Sequence, residues 1–145
     1  MKTLLKFPIT VIGIVLIAIG CDNNDWPLKT IPVVQFESVE GTTDENSGEK
    51  TIVLTFNKAF EYDASINLLV DASKAKYFSS TPAIDEGVIT LEVKKYDQRA
   101  FLKITPKDNA TSDGTKLITF QITRLHNEFI LGDRITYSLL IEDNE

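Results

Sequence analysis

Residues 51–56, TIVLTF, alternate strictly between two sets of side chains. In an extended strand successive side chains point to opposite faces, so Ile52, Leu54 and Phe56 share one face. That face is wholly apolar, whereas the other carries two threonines around a valine. The stretch therefore predicts a β-strand with one side in a hydrophobic core.

The same two-residue period recurs on both sides of this strand. The runs are IPVVQFESV (31–39), SINLLVD (65–71), GVITLEV (87–93), RAFLKITP (99–106), KLITFQIT (116–123) and ITYSLLIE (135–142). Turn formers favour loops at EGTTDENSGE (40–49), KDNATSDG (107–114) and LHNEFILGD (125–133), and residues 74–78 favour one short helical turn. About seven strands over residues 31–145 predict an all-β fold, a seven-stranded immunoglobulin-like antiparallel β-sandwich.

Composition is consistent with one folded, acidic domain. The chain is 43% hydrophobic and 25% charged, a composition too apolar for a disordered protein. Its length of 145 residues is too short for two ordinary domains. The net charge is −6, and the basic residues are scattered rather than clustered. Because nucleic acids are bound through clustered Lys and Arg, we expect no nucleic-acid partner.

Residues 1–20 place two lysines before an apolar run that ends at Gly20. A membrane-spanning helix needs about 20 apolar residues, so this shorter run is typical of a cleaved secretory signal. The residues directly before Cys21, the only cysteine, resemble the processing site of bacterial lipoproteins. The resemblance implies a lipoprotein signal peptide at 1–20 and lipidation of the Cys21 thiolate.

Residues 21–30 lack periodicity and contain several turn formers, which favours a lipid-anchored tether between membrane and domain. We therefore expect the membrane to be a partner through the N-terminal lipid. The expected location is the bacterial cell envelope, at the outer membrane and exposed at the surface. Acidic residues directly after a lipidated cysteine resemble a surface-export signal of some lineages, whereas Asp22 in that position resembles an inner-membrane retention signal of others. The sequence therefore leaves open which membrane and which leaflet hold the lipid.

Motifs for catalysis are absent from the sequence. His126, the single histidine, has no serine in a nucleophile elbow and no cysteine nucleophile once Cys21 carries lipid. Neither a glycine-rich phosphate loop nor His/Cys spacing for a metal occurs. We expect no enzyme, and a hydrolase with two carboxylates stays open because pairing in space cannot be read from the sequence.

Acidic and amide side chains gather in three turn regions. These are Asp44 with Glu45, the segment 108–113 and the terminal segment 142–144. In a Greek-key sandwich, every second loop emerges at the same end, so we expect these regions at one pole. Calcium takes about six to eight oxygen ligands of this kind. The alternative is solvated loops whose acids pair with lysines.

From about residue 32 to the end, the chain resembles the Calx-beta domain family, calcium-binding β-sandwiches that also occur in bacterial surface proteins. The most specific segments are FES (36–38) with Glu45 and TIVLTF, then ITPKDNATSDGTKLITFQIT (104–123) and FILGDRITYSLLIEDNE (129–145). The resemblance implies calcium as a cofactor, with ligands at Glu45, Asp108, Asn109, Asp113, Glu142, Asp143 and Asn144.

Two ligand positions of the family hold lysines in this chain, at Lys76 and Lys116. An ammonium group offers no lone pair and repels a divalent cation. Calcium affinity tracks the number of charged ligands, so these lysines predict weak or lost binding.

Three hypotheses for function follow from these features. The first is a lipid-anchored envelope module for binding or adhesion, whose partner is a protein or a glycan recognised by loops or a sheet edge. The second is a non-catalytic accessory lipoprotein of an outer-membrane uptake or glycan-processing complex. The third is the hydrolase with a carboxylate pair.

Overall fold

The computed structural model describes residues 31–112, 114–123 and 128–144. In that part of the chain there are ten strands and one 3₁₀ helix, which spans Ala72–Tyr77. The strands are β1 (Val33–Phe36), β2 (Glu40–Asp44), β3 (Lys50–Phe56), β4 (Ala64–Val70), β5 (Phe78–Thr81), β6 (Val88–Val93), β7 (Arg99–Pro106), β8 (Lys116–Thr123), β9 (Ile130–Leu131) and β10 (Thr136–Glu142).

The strands form two five-stranded sheets that share one hydrophobic core. One sheet has the order β5-β7-β3-β1-β9, and the other has the order β2-β10-β8-β4-β6. Pairing is antiparallel except where β9 joins β1 and where β2 joins β10, which are parallel. The predicted all-β sandwich is confirmed, with a parallel pair at one edge of each sheet.

The alternating runs bury the faces that their sequence predicts. Ile52, Leu54 and Phe56 of β3 line the core, and in β7 every second residue is buried. Phe78 of one sheet meets Phe120 of the other edge to face, with ring centroids 5.7 Å apart. Burial of a side chain of this size stabilises the fold by about 1.5–3 kcal/mol, so these faces supply the main driving force for folding.

The structure has three more strands than the predicted seven. Residues Glu40–Asp44, predicted as loop, form β2, and Ile130–Leu131, also predicted as loop, form β9. Neither segment has an apolar alternation, and both are held by backbone pairing to a neighbouring strand. Phe78–Thr81 adds the short edge strand β5. The run 31–39 ends its first strand at Phe36, because the chain then crosses to the other sheet.

Strand directions give the sandwich two distinct ends. Val34 at the start of β1 lies opposite Phe56 at the end of β3, whereas Lys50 at the start of β3 lies opposite Ile104 near the end of β7. Strand β3 rises about 3.4 Å per residue, so the start of β1 and the end of β7 are about 20 Å apart. Strands β2 and β10 finish together at the same end as β7, since Asn109, which follows β7, donates to Glu45, which follows β2.

Several predictions fall on residues outside the described ranges. They are the signal peptide at 1–20, the tether at 21–30 with Cys21, the ligand Asp113 and the loop around His126. Within the described ranges, no helix has the length and apolar character needed to cross a bilayer.

Candidate functional site

The end of the sandwich where β2, β7 and β10 finish brings together the acidic segments predicted to meet. Asp44 pairs with Glu142 across β2 and β10, and Lys116 pairs with Ile141 across β8 and β10. Glu45 and Lys116 therefore flank the end of β10 on its two sides. Neighbouring strands lie about 4.8 Å apart, so the two backbones are separated by about 10 Å.

Hydrogen bonds connect these segments directly. The Glu45 N–H donates to the Glu142 carbonyl at 2.9 Å, and the Gly114 N–H donates to the Asp143 carboxylate at 2.6 Å. The Asn109 side-chain amide donates to the Glu45 carboxylate at 3.1 Å. The convergence predicted for the three segments is confirmed.

We call this region the charged pole. Its members are Glu45, Tyr77, Asn109, Gly114, Lys116 and Asp143.

Two opposite charges are buried at the charged pole. Glu45 is 2% exposed and Lys116 is 7% exposed, and within the described ranges they are the two buried charged residues. A buried charge is costly unless other charges and hydrogen bonds compensate it. Because Lys116 is almost fully buried, its ammonium is largely shielded from bulk water, and it donates to the Gly114 carbonyl.

Tyr77 covers the charged pole from the side of the 3₁₀ helix. The Lys116 ammonium lies 5.3 Å from its ring centroid, within the range of a cation–π contact. The Lys76 ammonium lies 4.8 Å from the same ring. The Lys107 N–H donates to the Tyr77 backbone carbonyl at 2.9 Å, which joins the end of the 3₁₀ helix to the segment after β7.

The 3₁₀ helix that presents Tyr77 begins at a side-chain cap. The Asp71 carboxylate accepts a hydrogen bond from the Ser73 N–H at 2.9 Å. Hydrogen bonds from the Ser73 side chain and backbone hold the pKa of Asp71 below its ordinary value. This segment is close to the predicted helical turn at 74–78, but it begins at Ala72 and ends before Phe78, which starts β5.

The predicted calcium ligands take different positions in the structure. Glu45, Asn109 and Asp143 turn into the charged pole, whereas the side chains of Asp108, Glu142 and Asn144 are exposed around it. Of the two lysines at ligand positions, Lys76 lies on the surface beside Tyr77 and Lys116 lies inside.

The described residues do not fit a calcium ion. Asn109 directs its NH₂ group toward Glu45, and its oxygen accepts from the Thr111 N–H at 3.0 Å, so the atom that a metal requires is turned to the loop. The Lys116 ammonium occupies the same pole, where it donates to the Gly114 carbonyl. Within the described ranges, no set of three or more acidic, His or Cys side chains is placed to hold a metal.

Comparisons with known proteins identify the fold. No protein-family model matches the chain, and no curated protein sequence matches it. Among solved structures, the apo form of the Calx CBD1 domain superimposes with a TM-score of 0.62 at 13% identity, over 80% of this chain and 100% of that domain. The fold is that of the Calx CBD domains.

Two further structures share this Calx-like sandwich. The calcium binding domain CBD12 of CALX1.1 matches with a TM-score of 0.62 at 16% identity, over 77% of this chain and 45% of that one. A two-domain protein of unknown function from Bacteroides fragilis matches with a TM-score of 0.54 at 11% identity, over 79% of this chain and 46% of that one. At these identities the likeness establishes the fold.

Sequence reasoning missed the burial of Lys116, although a signal was present. In KLITFQIT, Lys116 shares its face with Ile118, Phe120 and Ile122, so the two-residue period that predicts the core also directs this lysine inward. The role of Tyr77 as a cover had no comparable signal, because it depends on how the chain turns between the two sheets.

The opposite end of the sandwich is the end where β1 begins, and we call it the tether end. It carries an exposed, hydrogen-bonded loop between β6 and β7. Asp63 accepts from the Lys95 N–H at 2.8 Å and from the Lys94 ammonium at 3.3 Å, and these bonds lower the pKa of Asp63. Tyr96 at the tip has φ 75° and is largely exposed. The start of β1 lies at this end, and the Val33 N–H donates to the Asn57 side chain at 2.8 Å there.

Proposed function

We propose that the protein is a non-catalytic binding module of the bacterial cell envelope, anchored through lipid on Cys21 and presenting its charged pole to a partner. The Calx-like sandwich supplies a rigid scaffold whose loops differ in chemistry from one end to the other. The partner is a protein or a glycan.

One observation carries this proposal. The chain enters the sandwich at the tether end, and the charged pole lies at the other end, about 20 Å away. A domain held by residues 21–30 therefore directs its charged pole away from the membrane. The rim of that pole is polar and exposed, with Asp108, Thr111 and Glu142 available for contact.

Calcium is not included in the proposed function. The resemblance to Calx-beta implies calcium as a cofactor, but the charged pole contains the buried ammonium group of Lys116, which repels a divalent cation.

Anchoring is tested by fractionating cells that produce the full-length protein or its Cys21→Ser variant. We expect the wild-type protein in the membrane fraction and the variant released from it. Recovery of both proteins in the same fraction would contradict anchoring through this residue.

Binding is tested by reversing one exposed charge at each end. Asp108→Arg alters the charged pole, and Glu61→Arg makes the same change in the loop that precedes β4 at the tether end. After purification of the full-length proteins from gently solubilised envelopes, we expect Asp108→Arg to lose a partner that wild type and Glu61→Arg retain. Loss with Glu61→Arg alone would place the binding surface at the tether end. Copurification of the wild-type protein with a single integral membrane complex would instead assign it the role of an accessory lipoprotein of that complex.

A further inference from the structure

We propose that the Lys116 ammonium is the resident cation of the charged pole, so that a covalently attached positive charge stands where the resemblance to Calx-beta implies a calcium ion. The pole is then assembled in the absence of calcium, and calcium does not regulate it. This inference goes beyond the proposed binding role and does not depend on the identity of the partner.

The position of the ammonium group is fixed from both ends of its side chain. Lys116 is the first residue of β8, and the alternation of that strand turns it to the core side. At the other end, the ammonium donates to the Gly114 carbonyl and lies 5.3 Å from the Tyr77 ring centroid. Lysines ordinarily extend their charged heads to water, but this one keeps its head inside the pole.

Groups that accept a cation lie at the same pole as this ammonium. The Glu45 carboxylate is buried on the other side of β10, and a buried carboxylate requires positive charge or hydrogen bonds near it. Gly114 connects Lys116 with the Asp143 carboxylate, since its carbonyl accepts from the Lys116 ammonium while its N–H donates to Asp143. The aromatic face of Tyr77 completes the enclosure.

Calcium would have to enter against these contacts. A divalent ion close to an enclosed ammonium group meets strong repulsion, because charges inside a protein are screened less than charges in water. The Asn109 amide also presents hydrogen atoms to Glu45. Both observations favour one lysine charge as the cation of this pole.

The test measures thermal unfolding of the full-length protein in mild detergent, once in about 1 mM EGTA and once in about 5 mM calcium chloride. These concentrations leave a calcium site empty in the first buffer and saturated in the second. For wild type we expect the same melting temperature in both buffers. For Lys116→Glu we expect a melting temperature that rises by about 5 °C or more with calcium, because the change places a carboxylate where the resemblance to Calx-beta implies a calcium ligand. Lys95→Glu, the same change in an exposed loop at the tether end, is the matched control and should show no calcium response.

A calcium-dependent rise for wild type similar to that of Lys116→Glu would overturn the proposal. A folded Lys116→Glu variant without any calcium response would overturn it as well. If Lys116→Glu does not fold, Lys116→Gln decides, since it keeps a polar side chain and removes the charge. We expect Lys116→Gln to melt several degrees below Lys95→Gln in EGTA, and equal melting temperatures would contradict a role for the charge.

Discussion

At the level of single residues, two buried charges distinguish this chain from an ordinary β-sandwich. Glu45 directly follows β2 and Lys116 begins β8, the two strands that flank β10, and both side chains are buried at the charged pole. Removal of one of two buried opposite charges leaves the other with less compensation, so we expect it to cost more than the loss of one member of an exposed pair. This asymmetry can be measured.

We expect Glu45→Gln and Lys116→Gln each to lower the free energy of unfolding by about 3 kcal/mol. In the double variant, the loss of unfolding free energy should be smaller than the sum of the two single losses by about 1–3 kcal/mol, because we expect the two charges to compensate each other. Urea unfolding of the three variants and wild type gives this coupling. The control is the exposed pair Glu49 and Lys103, 2.8 Å apart, whose coupling should stay within about 1 kcal/mol. Equal coupling for the two pairs would contradict compensation inside the pole.

A second residue-level prediction concerns Tyr137 in β10. Burial raises the pKa of its hydroxyl above the ordinary 10.0, so the folded state keeps the neutral form at a pH where the unfolded chain ionises. The stability that depends on the neutral form is complete below pH 10 and is lost as the pH rises through the raised pKa. We therefore expect the free energy of unfolding of wild type to fall more steeply above pH 10 than that of Tyr137→Phe. Parallel curves for the two proteins would rule out the shift.

At the level of elements, β2 is the strand that the sequence does not reveal and the one that carries Glu45 into the pole. It pairs with β10 in parallel, and Gly41 allows its backbone to approach the Tyr137 side chain. A Cβ atom on Gly41 would collide with the Tyr137 hydroxyl, whereas the ring carbon behind it would be 3.3 Å away. The glycine is thus required by a close contact between two neighbouring strands.

We expect Gly41→Ala to lower the free energy of unfolding by about 2 kcal/mol in wild type, in the range reported for overpacked sites. In the Tyr137→Phe background the same substitution should cost clearly less, because the atom that collides is gone. Chemical denaturation of the four proteins measures both values. A cost that is unchanged in the Tyr137→Phe background would show that the hydroxyl is not the obstacle.

The elements that could be predicted from the sequence are those whose stability comes from apolar alternation. Residues 51–56 and 99–106 bury every second side chain, so their pattern specified both strand and face. EGTTD in β2 is polar at nearly every position and pairs through its backbone, which leaves no pattern to detect.

The candidate site could be predicted only in part. The convergence of Glu45, Asn109 and Asp143 followed from strand count and direction. Packing decides which atom of Asn109 faces Glu45 and which side chain covers Lys116, and a sequence pattern does not encode that packing.

At the level of the whole molecule, the two ends of the sandwich differ in the roles that we propose for them. The tether end receives the chain from residues 21–30 and carries the exposed Tyr96 loop. The charged pole lies about 20 Å away and contains its own positive charge in Lys116. If the domain is anchored as we propose, we expect it to present a preassembled surface whose shape does not depend on the calcium concentration.

The most direct test of this arrangement is photo-crosslinking in living cells that produce the full-length protein. A photoreactive amino acid at Thr111 probes the rim of the charged pole, and the same amino acid at Glu61 probes the tether end; both side chains are exposed. We predict a discrete crosslinked partner from position 111, in equal yield with calcium or with EGTA, and none from position 61. Crosslinks from position 61 without any from position 111, or a yield at 111 that requires calcium, would contradict it.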